Sequence, residues 1–203
     1  MSTIDTLLAG FKAFKAQYFE QRPRLFQYLM EAGQQPEVMI IACSDSRVDP
    51  AILLNTQPGE LFVVRNVANL VPPYQPDGNY HGTSSALEFA VRDLRVKHIV
   101  VLGHSQCGGM AALRRFGGGA PVDREFIAPW VSIAQSVLTQ EPQDSGAIER
   151  AAVRVSFGNL LSFPWIAQAV AQQDISLHGW WFDLEQGALW GIESPEAEFR
   201  QIG

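Results

Sequence analysis

Three unbroken apolar runs constrain the fold of this chain more than any other feature. They cover residues 38–42 (VMIIA), 61–64 (LFVV) and 98–102 (HIVVL). Strands of a parallel sheet are covered on both faces, so they are continuously apolar rather than alternating. An amphipathic helix, with Leu87 and Leu94 on one face, separates the second run from the third. This alternation of strands and helices predicts an α/β domain with a mostly parallel central sheet flanked by helices.

The start of the helix between the second and third runs can also be predicted. Ser85 and Glu88 are three residues apart, the spacing of a capping box, and apolar residues follow them. The pattern therefore predicts that the helix begins at Ser85.

The two ends of the chain predict different elements. Residues 3–21 carry apolar side chains at helical spacing, and a second short helix follows before Gly33. Residues 176–192 alternate in polarity around a Gly-containing turn, which predicts a C-terminal β-hairpin. We expect a single domain over residues 1–203, made of an N-terminal helical arm (1–33) and an α/β core (34–203).

Composition and charge narrow the class of protein. Apolar residues make up 47% and charged residues 18% of the chain, a balance typical of globular proteins. The net charge of −6, with no dense cluster of Lys and Arg, disfavours a nucleic-acid partner. The apolar runs are too short to span a bilayer, and residues 1–10 lack the pattern of a secretory signal. We therefore expect a cytoplasmic protein with no membrane or nucleic-acid partner.

Reactive side chains follow the first and third apolar runs. The first run leads into CSDSR at 43–47, and the third leads into GHSQCGG at 103–109. Ligands of open parallel sheets bind outside the carboxyl ends of the strands, so the two segments should lie side by side. Zinc favours thiolate and imidazole ligands, and three protein ligands leave a position open, as in catalytic sites. Cys43, His104 and Cys107 therefore form a candidate site for one Zn²⁺ per chain.

Asp45 and Arg47 lie close enough in sequence to assist such a site. Two thiolates cancel the charge of Zn²⁺, so a bound water is acidified less than in an all-histidine site. Asp45 could accept a hydrogen bond from that water, and Arg47 could hold Asp45 ionised and oriented. Simpler interpretations remain open at this point. A buried Cys is usually a small hydrophobe, Cys43 and Cys107 could form a disulfide, and Asp-x-Arg is usually a surface ion pair.

Taken together, these segments resemble the signature segments of β-class carbonic anhydrases. CSDSRV at 43–48 and GHSQCGG at 103–109 match them, and residues 58–74 and 177–183 are similar to two further segments. The resemblance covers about residues 20–192 and is closest to the plant-type branch. It implies a zinc lyase that reversibly hydrates carbon dioxide to bicarbonate and a proton, by attack of zinc-bound hydroxide on CO₂ in a small apolar pocket.

The resemblance also implies residue roles and an assembly. Cys43, His104 and Cys107 match zinc ligands, and Asp45 and Arg47 match a catalytic dyad. The positions implied to bind substrate are Gln34, Phe62, Val67, Phe89 and Gly108. The family often has Tyr where this chain has Phe89, so a hydroxyl is missing there. The family's site lies at a dimer interface, which implies a homodimer or a higher even homo-oligomer, with the N-terminal helices packing on a partner subunit.

The resemblance further distinguishes an open from a closed site. In some members the dyad Asp, here Asp45, becomes a conditional fourth zinc ligand in a closed form. Bicarbonate favours that form by binding near a Trp three residues before the first Cys ligand. This chain has Ile40 there, which cannot donate a hydrogen bond, although the pocket's Arg has a counterpart in Arg65. The sequence therefore predicts an enzyme of the open-site type, in which Asp45 stays paired with Arg47.

Three alternative functions remain. A hydrolase of carbon disulfide or carbonyl sulfide on the same scaffold would have a similar zinc site, and only assays separate the two. A zinc-bound interaction module without catalysis would lack Asp45 or Arg47, or would add a fourth Cys or His ligand. A nucleotide-binding module is disfavoured because neither Gly-rich segment has the form of a phosphate-binding loop.

Overall fold

The computed structural model describes residues 2–117, 124–139 and 146–203. The chain separates into two compact units, Met1–Gln35 and Pro36–Gly203. The boundary lies two residues after the expected end of the helical arm. Within the described residues, no helix is long and apolar enough to cross a membrane.

The first unit is a pair of helices. Helix α1 spans Thr3–Lys15 and continues into a π-helical turn, Ala16–Glu20, and α2 spans Pro23–Ala32. Ser2 caps α1, because its hydroxyl accepts from the Asp5 amide and the Asp5 carboxylate accepts from the Ser2 amide. Aromatic rings with neighbouring centroids 4.6–6.5 Å apart connect the elements, namely Phe11, Phe14, Tyr18, Phe19 and Phe26. The two predicted N-terminal helices are therefore confirmed.

The second unit is built around a six-stranded sheet, as far as the described residues extend. The strands are β1 (Val38–Cys43), β2 (Leu61–Asn66), β3 (His98–His104), β4 (Ser176–Asp183), β5 (Ala188–Ile192) and β6 (Arg200–Gln201). Their order across the sheet is β2-β1-β3-β4-β5-β6. Strands β1 to β4 are parallel, and β5 and β6 are antiparallel additions. The mostly parallel sheet and the C-terminal hairpin are confirmed, whereas the short strand β6 was not predicted.

Helices and short helical turns connect and cover the strands. The helices are α3 (Pro50–Leu53), α4 (Gly82–Glu88), α5 (Gly108–Gly117), α6 (Ile127–Val131), α7 (Ala147–Leu160) and α8 (Pro164–Ala171). A 3₁₀ turn, Val67–Asn69, follows β2, a π-helical turn, Phe89–Asp93, extends α4, and 3₁₀ turns at Ser132–Thr139 extend α6.

The predicted start of α4 was wrong. The helix begins at Gly82 with His81 in the capping position, and the His81 side chain makes no capping hydrogen bond. The Ser85 amide already donates to the His81 carbonyl at 2.8 Å, so Ser85 lies within the first turn. The capping-box spacing of Ser85 and Glu88 therefore has no capping role.

The central strands are apolar throughout because both of their faces are buried. Met39 and Ile41 of β1 pack in one cluster with Phe157 of α7, whereas Ile40 and Ala42 pack in another on the opposite face. Burying an Ile or Met side chain completely contributes roughly 1.5–3 kcal/mol. This burial fixes the strand register, since a slip of one residue would exchange the two faces.

The register determines where the reactive residues lie. Ala42 of β1 is in register with Leu102 of β3, so both strands reach the same edge of the sheet. Cys43 is the last residue of β1, and His104 is the last residue of β3. The polar segments after the two strands therefore meet at the carboxyl edge, as the sequence predicts.

Candidate metal centre

Three buried side chains converge at the carboxyl edge of β1 and β3. Candidate ligand atoms of Cys43, His104 and Cys107 all lie within 4.8 Å of one another. The two sulfur atoms are 3.9 Å apart, and both cysteines are free thiols. The predicted three-residue set is thus assembled, and the alternative of a disulfide between Cys43 and Cys107 is not realised.

The backbone and neighbouring groups orient these ligands. The Ala68 amide donates to the Cys43 sulfur at 3.4 Å. The His104 ring contacts the Ser105 carbonyl through Nδ1 at 2.8 Å, so Nδ1 carries the proton and Nε2 presents its lone pair. The Ser105 hydroxyl in turn accepts from the Leu184 amide at 2.9 Å, which connects the ligand loop to the end of β4. Such supporting contacts fix the tautomer and orientation of metal ligands.

The donor atoms of the site suit a metal ion. His104 Nε2 is buried and has no hydrogen-bond partner among the described residues. Buried polar atoms are nearly always partnered, so an orphaned imidazole nitrogen facing two sulfurs needs an explanation. A soft divalent ion satisfies all three atoms, and two thiolates with one imidazole are the donors that zinc prefers. The residues therefore fit zinc.

The two thiols are electrostatically unequal. A hydrogen bond with Cys107 lowers the pKa of the Cys43 thiol, against the opposing effect of burial. The same hydrogen bond raises the pKa of Cys107, and burial adds to that rise. The pair therefore holds its charge mainly on Cys43 and a shared proton between the sulfurs. A metal ion held by both sulfurs would take the place of that proton.

Asp45 and Arg47 form a well-defined ion pair beside the ligands. Arg47 Nε donates to Asp45 Oδ1 at 2.9 Å, and Arg47 Nη2 donates to Oδ2 at 2.8 Å. The Arg47 amide adds a third bond to Oδ1 at 3.0 Å. Hydrogen bonding to the Arg47 side chain therefore holds the pKa of the Asp45 carboxyl well below its usual range. Asp45 Oδ2 is 3.9 Å from His104 Nε2, so an ionised carboxylate adjoins the position that a metal would occupy.

Arg65 has a supporting role that sequence reasoning missed. Its guanidinium donates to the Cys43 carbonyl at 2.9 Å, to the Asp45 carbonyl at 2.6 Å and to the Asp49 carboxylate at 2.9 Å. Asp49 also caps α3, because it accepts from the Ala51 amide at 3.0 Å. Arg65 thus joins β2 to the whole loop that carries Cys43 and Asp45. This role of Arg65 is visible only from the pairing of β1 with β2, which brings Arg65 next to Cys43 although the two are 22 residues apart in sequence.

Two of the predicted pocket residues lie beside the ligands. Val67 belongs to the 3₁₀ turn whose next residue, Ala68, contacts Cys43. The Val67 carbonyl accepts from Trp130 Nε1 at 2.7 Å, and the Val67 side chain is 38% exposed, so it offers an apolar surface. Gly108 directly follows Cys107 and is exposed at the start of α5.

Two other predicted pocket residues lie elsewhere in this chain. Phe62 is in register with Met39, whereas Cys43 is in register with Asn66, four residues further along β2. Phe62 is therefore about 13 Å from the ligand edge along the strand. Its ring is tilted by 35° against the Phe89 ring, with centroids 6.0 Å apart, and Phe89 is 42% exposed. The structure thus brings these two residues together, away from the ligands of their own chain.

Gln34 lies in the first unit, and its side chain is exposed. Its assignment to the substrate pocket stays a prediction.

Comparisons with known proteins agree with this geometry. A family model described as carbonic anhydrase matches residues 38–189. Beta carbonic anhydrase 3 of Arabidopsis thaliana is 35% identical over 205 residues, covering 95% of this chain and 79% of that protein.

Solved structures give the same result. The β-carbonic anhydrase CcaA superimposes with a TM-score of 0.85 at 29% identity, over 100% of this chain and 93% of that chain. One of two tetrameric β-carbonic anhydrases from the filamentous ascomycete Sordaria macrospora gives a TM-score of 0.78 at 29% identity, over 99% and 97% of the two chains. A Coccomyxa β-carbonic anhydrase in complex with acetazolamide gives 0.74 at 28% identity, over 96% and 90%.

Proposed function

The chain belongs to the β-class carbonic anhydrase family, and we propose that Cys43, His104 and Cys107 hold its zinc ion. With that ion the enzyme reversibly hydrates carbon dioxide to bicarbonate and a proton. The observation that carries the residue assignment is the orphaned Nε2 of His104, buried with two thiols at ligand distance. A zinc ion held there supplies a Lewis acid that lowers the pKa of a water molecule.

Asp45 would position a water molecule beside the ligands. The carboxylate stays ionised because Arg47 engages both of its oxygens. Its Oδ2 atom lies 3.9 Å from His104 Nε2, so it would accept a hydrogen bond from a water molecule beside the ligand cluster. Arg47 also donates to the Gln106 carbonyl at 3.2 Å, which fixes the pair to the loop between His104 and Cys107. Preorganised acceptors of this kind need no rearrangement during the reaction.

Val67 forms the apolar wall against which a linear substrate is held. Its turn is fixed from two sides, by the Trp130 indole on the Val67 carbonyl and by the close approach of Gly109. A weakly polar molecule gains little from hydrogen bonds, so apolar contact and position dominate its recognition. Gly108 lies at the exposed start of α5, directly after the ligand Cys107.

We also propose that the pocket is completed by another copy of the chain. Phe62 and Phe89 form a partly exposed aromatic pair about 13 Å from the ligands of their own chain. The exposed apolar residues of α1, including Leu7 and Phe11, offer further surface for a partner. The Sordaria macrospora relatives are tetrameric. A homodimer or a higher even homo-oligomer is therefore expected, and light scattering of the purified chain tests it. A stable, active monomer would refute the proposal.

A cytoplasmic location is proposed on the state of the cysteines. The proposed zinc ligands Cys43 and Cys107 must stay reduced to bind the metal. Reducing compartments keep thiols in this form. Cell fractionation with a compartment marker tests the location, and recovery of the protein outside the cytoplasmic fraction would contradict it.

The substrate assignment is tested by assaying two linear substrates on one preparation. Stopped-flow measurement should show carbon dioxide hydration, whereas carbon disulfide should not be hydrolysed at a comparable kcat/KM. The Asp45→Asn variant, which keeps the size of the side chain, should lose hydration while retaining zinc. A preference for carbon disulfide would assign the chain to a different reaction on the same scaffold.

A further inference from the structure

The turn that contacts the Cys43 sulfur has an unusual backbone conformation. Ala68 has φ 67° and ψ 24°, and Asn69 has φ 48°, so two successive residues lie in the left-handed region. Asparagine tolerates this region, whereas alanine rarely adopts it, because its Cβ atom comes too close to the following carbonyl oxygen. Contacts with the surrounding structure must therefore hold the turn at Ala68.

The side chain of Asn66 makes such contacts on both sides of the turn. Its Oδ1 atom accepts from the Leu70 amide at 2.8 Å, and its Nδ2 atom donates to the Leu70 carbonyl at 2.8 Å. Nδ2 has a second proton, which it donates to Thr83 Oγ1 of α4 at 3.2 Å. Thr83 is buried, so α4 fixes the carboxamide in place. Asn66 thus joins the residue before the turn to the residue after it.

The turn brings two groups to the metal centre. The Ala68 amide donates to the Cys43 sulfur at 3.4 Å, and Val67 lies directly before Ala68. The backbone of Asn66 is tied to the same segment, because its carbonyl accepts from the Ser44 amide at 2.9 Å. A change of conformation at Ala68 would therefore move both the amide on the sulfur and the apolar side chain of Val67.

We propose that Asn66 is a positioning residue for the metal centre, which holds the left-handed turn so that the Ala68 amide stays on the Cys43 thiolate and Val67 stays beside the ligands. The inference rests on the proposed function, since it concerns the metal assigned to Cys43. A hydrogen bond to a thiolate ligand reduces the negative charge that the sulfur donates to a metal. Asn66 therefore influences both the affinity for the metal and the electronic state of the Cys43 sulfur.

The test uses the full chain loaded with zinc, and the same chain loaded with Co²⁺, whose thiolate complexes absorb light. Asn66→Ala should weaken zinc by about tenfold or more in competition with a chelator. In the cobalt form, the thiolate-to-cobalt charge-transfer band should move to longer wavelength, because a sulfur without the Ala68 hydrogen bond gives up electrons more readily. Thr83→Val removes the hydroxyl that anchors the carboxamide, so it should cause the same changes to a smaller extent. This milder variant keeps the proposal testable if Asn66→Ala folds poorly.

Asn55→Ala is the matched control for a loss of stability. Asn55 also has a positive φ, 51°, and it is exposed in the turn after α3. Its replacement should lower the Tm without changing the zinc affinity or the cobalt band. Adding Ala68→Gly to Asn66→Ala should restore part of the zinc affinity, because glycine adopts a positive φ without support from a neighbouring side chain.

Three results would overturn the proposal. They are an unchanged cobalt band and zinc affinity in Asn66→Ala, an equal loss of zinc affinity in Asn55→Ala, and a double variant in which no affinity returns. Carbon dioxide hydration by the wild type is measured separately. A wild-type enzyme that binds zinc and cobalt but does not hydrate carbon dioxide would contradict the proposed reaction and leave the role of Asn66 intact.

Discussion

Replacing Gly109 by Ala tests how the metal centre is supported. A Cβ atom at this position would lie 2.7 Å from the Ala68 Cβ and 2.9 Å from Val67 Cγ1. Carbon atoms pack best at about 3.5–4.0 Å, so the 3₁₀ turn must move by about 1 Å. That turn carries the amide of Ala68, which donates to the Cys43 sulfur at 3.4 Å. The substitution therefore disturbs a ligand without touching it.

The expected magnitude follows from overpacking. Inserting a methyl group into a closely packed site costs about 1–3 kcal/mol. For a chain of this size, each kcal/mol lowers the Tm by about 2–4 °C. For a cost of about 2 kcal/mol, the Tm should fall by about 4–8 °C. The affinity for zinc should fall by about 10–100-fold. Differential scanning calorimetry and zinc competition with a chelator measure the two effects.

Gly108 provides the matched control for stability. A Cβ at Gly108 meets no atom within 4 Å, and the residue is exposed in the first turn of the same helix. Gly108→Ala should therefore leave the Tm unchanged or raise it slightly, because Ala favours a helix by about 1 kcal/mol over Gly. Equal losses of stability in Gly108→Ala and Gly109→Ala would show that the close contact with Val67 and Ala68 is not the cause.

Three further predictions concern the charged groups around the centre. Asp45→Ala and Arg47→Ala should each reduce the rate of hydration strongly. The double variant should be little worse than the worse single variant, whereas additive losses would show that the two residues act independently. Arg65→Ala should loosen the ligand loop and weaken zinc by about 10–100-fold, while Arg65→Lys should lose less; unchanged chelator competition in Arg65→Ala would contradict this. Hydrogen bonding to Arg47 lowers the pKa of Asp45, so this carboxylate stays ionised at all neutral and alkaline pH values and titrates only in strong acid. Hydration should then rise with pH as a single ionisation, with a midpoint above about 7. Added bicarbonate should not change this pH profile, because Ile40 cannot donate a hydrogen bond to it. A steep rise involving several protons would instead indicate a closed form with Asp45 on the metal.

Three hydrogen bonds tie the Arg65 side chain to the loop that carries the ligands. Its guanidinium already donates to two backbone carbonyls and to the Asp49 carboxylate. These bonds use three of its five N–H groups, so Arg65 alone does not decide between an open and a closed site. Ile40 is completely buried beside Ala42 and Leu102 in an apolar cluster. The expectation of an open site therefore depends on Ile40, which offers no hydrogen-bond donor there.

The elements that follow from local pattern were predicted well. Strands β1 and β3 are continuous apolar runs because both faces are covered, and their polar continuations bring Cys43 and His104 to one edge. Asp45 and Arg47 are two residues apart, so the turn that follows β1 is almost enough to bring their side chains together. These features depend on short stretches of chain and on the general rule for parallel sheets.

The features that were missed depend on contacts between distant segments. Arg65 reaches the Cys43 loop only because β2 pairs with β1, and Trp130 reaches Val67 across 63 residues. The close packing of Gly109 on Ala68 also depends on where α5 meets the turn after β2. Phe62 and Phe89 match the family's pocket positions, yet their distance from the ligands becomes visible only through the register of β2. A single sequence has no local signal for any of these contacts.

Cys43, His104 and Cys107 are proposed to hold one catalytic zinc. The most direct measurement is zinc content, determined together with stopped-flow carbon dioxide hydration, in the wild type and in Cys107→Ser, both dialysed in buffer depleted of free zinc. The wild type should retain about one zinc per chain and hydrate carbon dioxide, and Cys107→Ser should lose both the metal and the activity while keeping its fold by circular dichroism. Full zinc occupancy in Cys107→Ser, or a zinc-loaded wild type that does not hydrate carbon dioxide, would contradict the account.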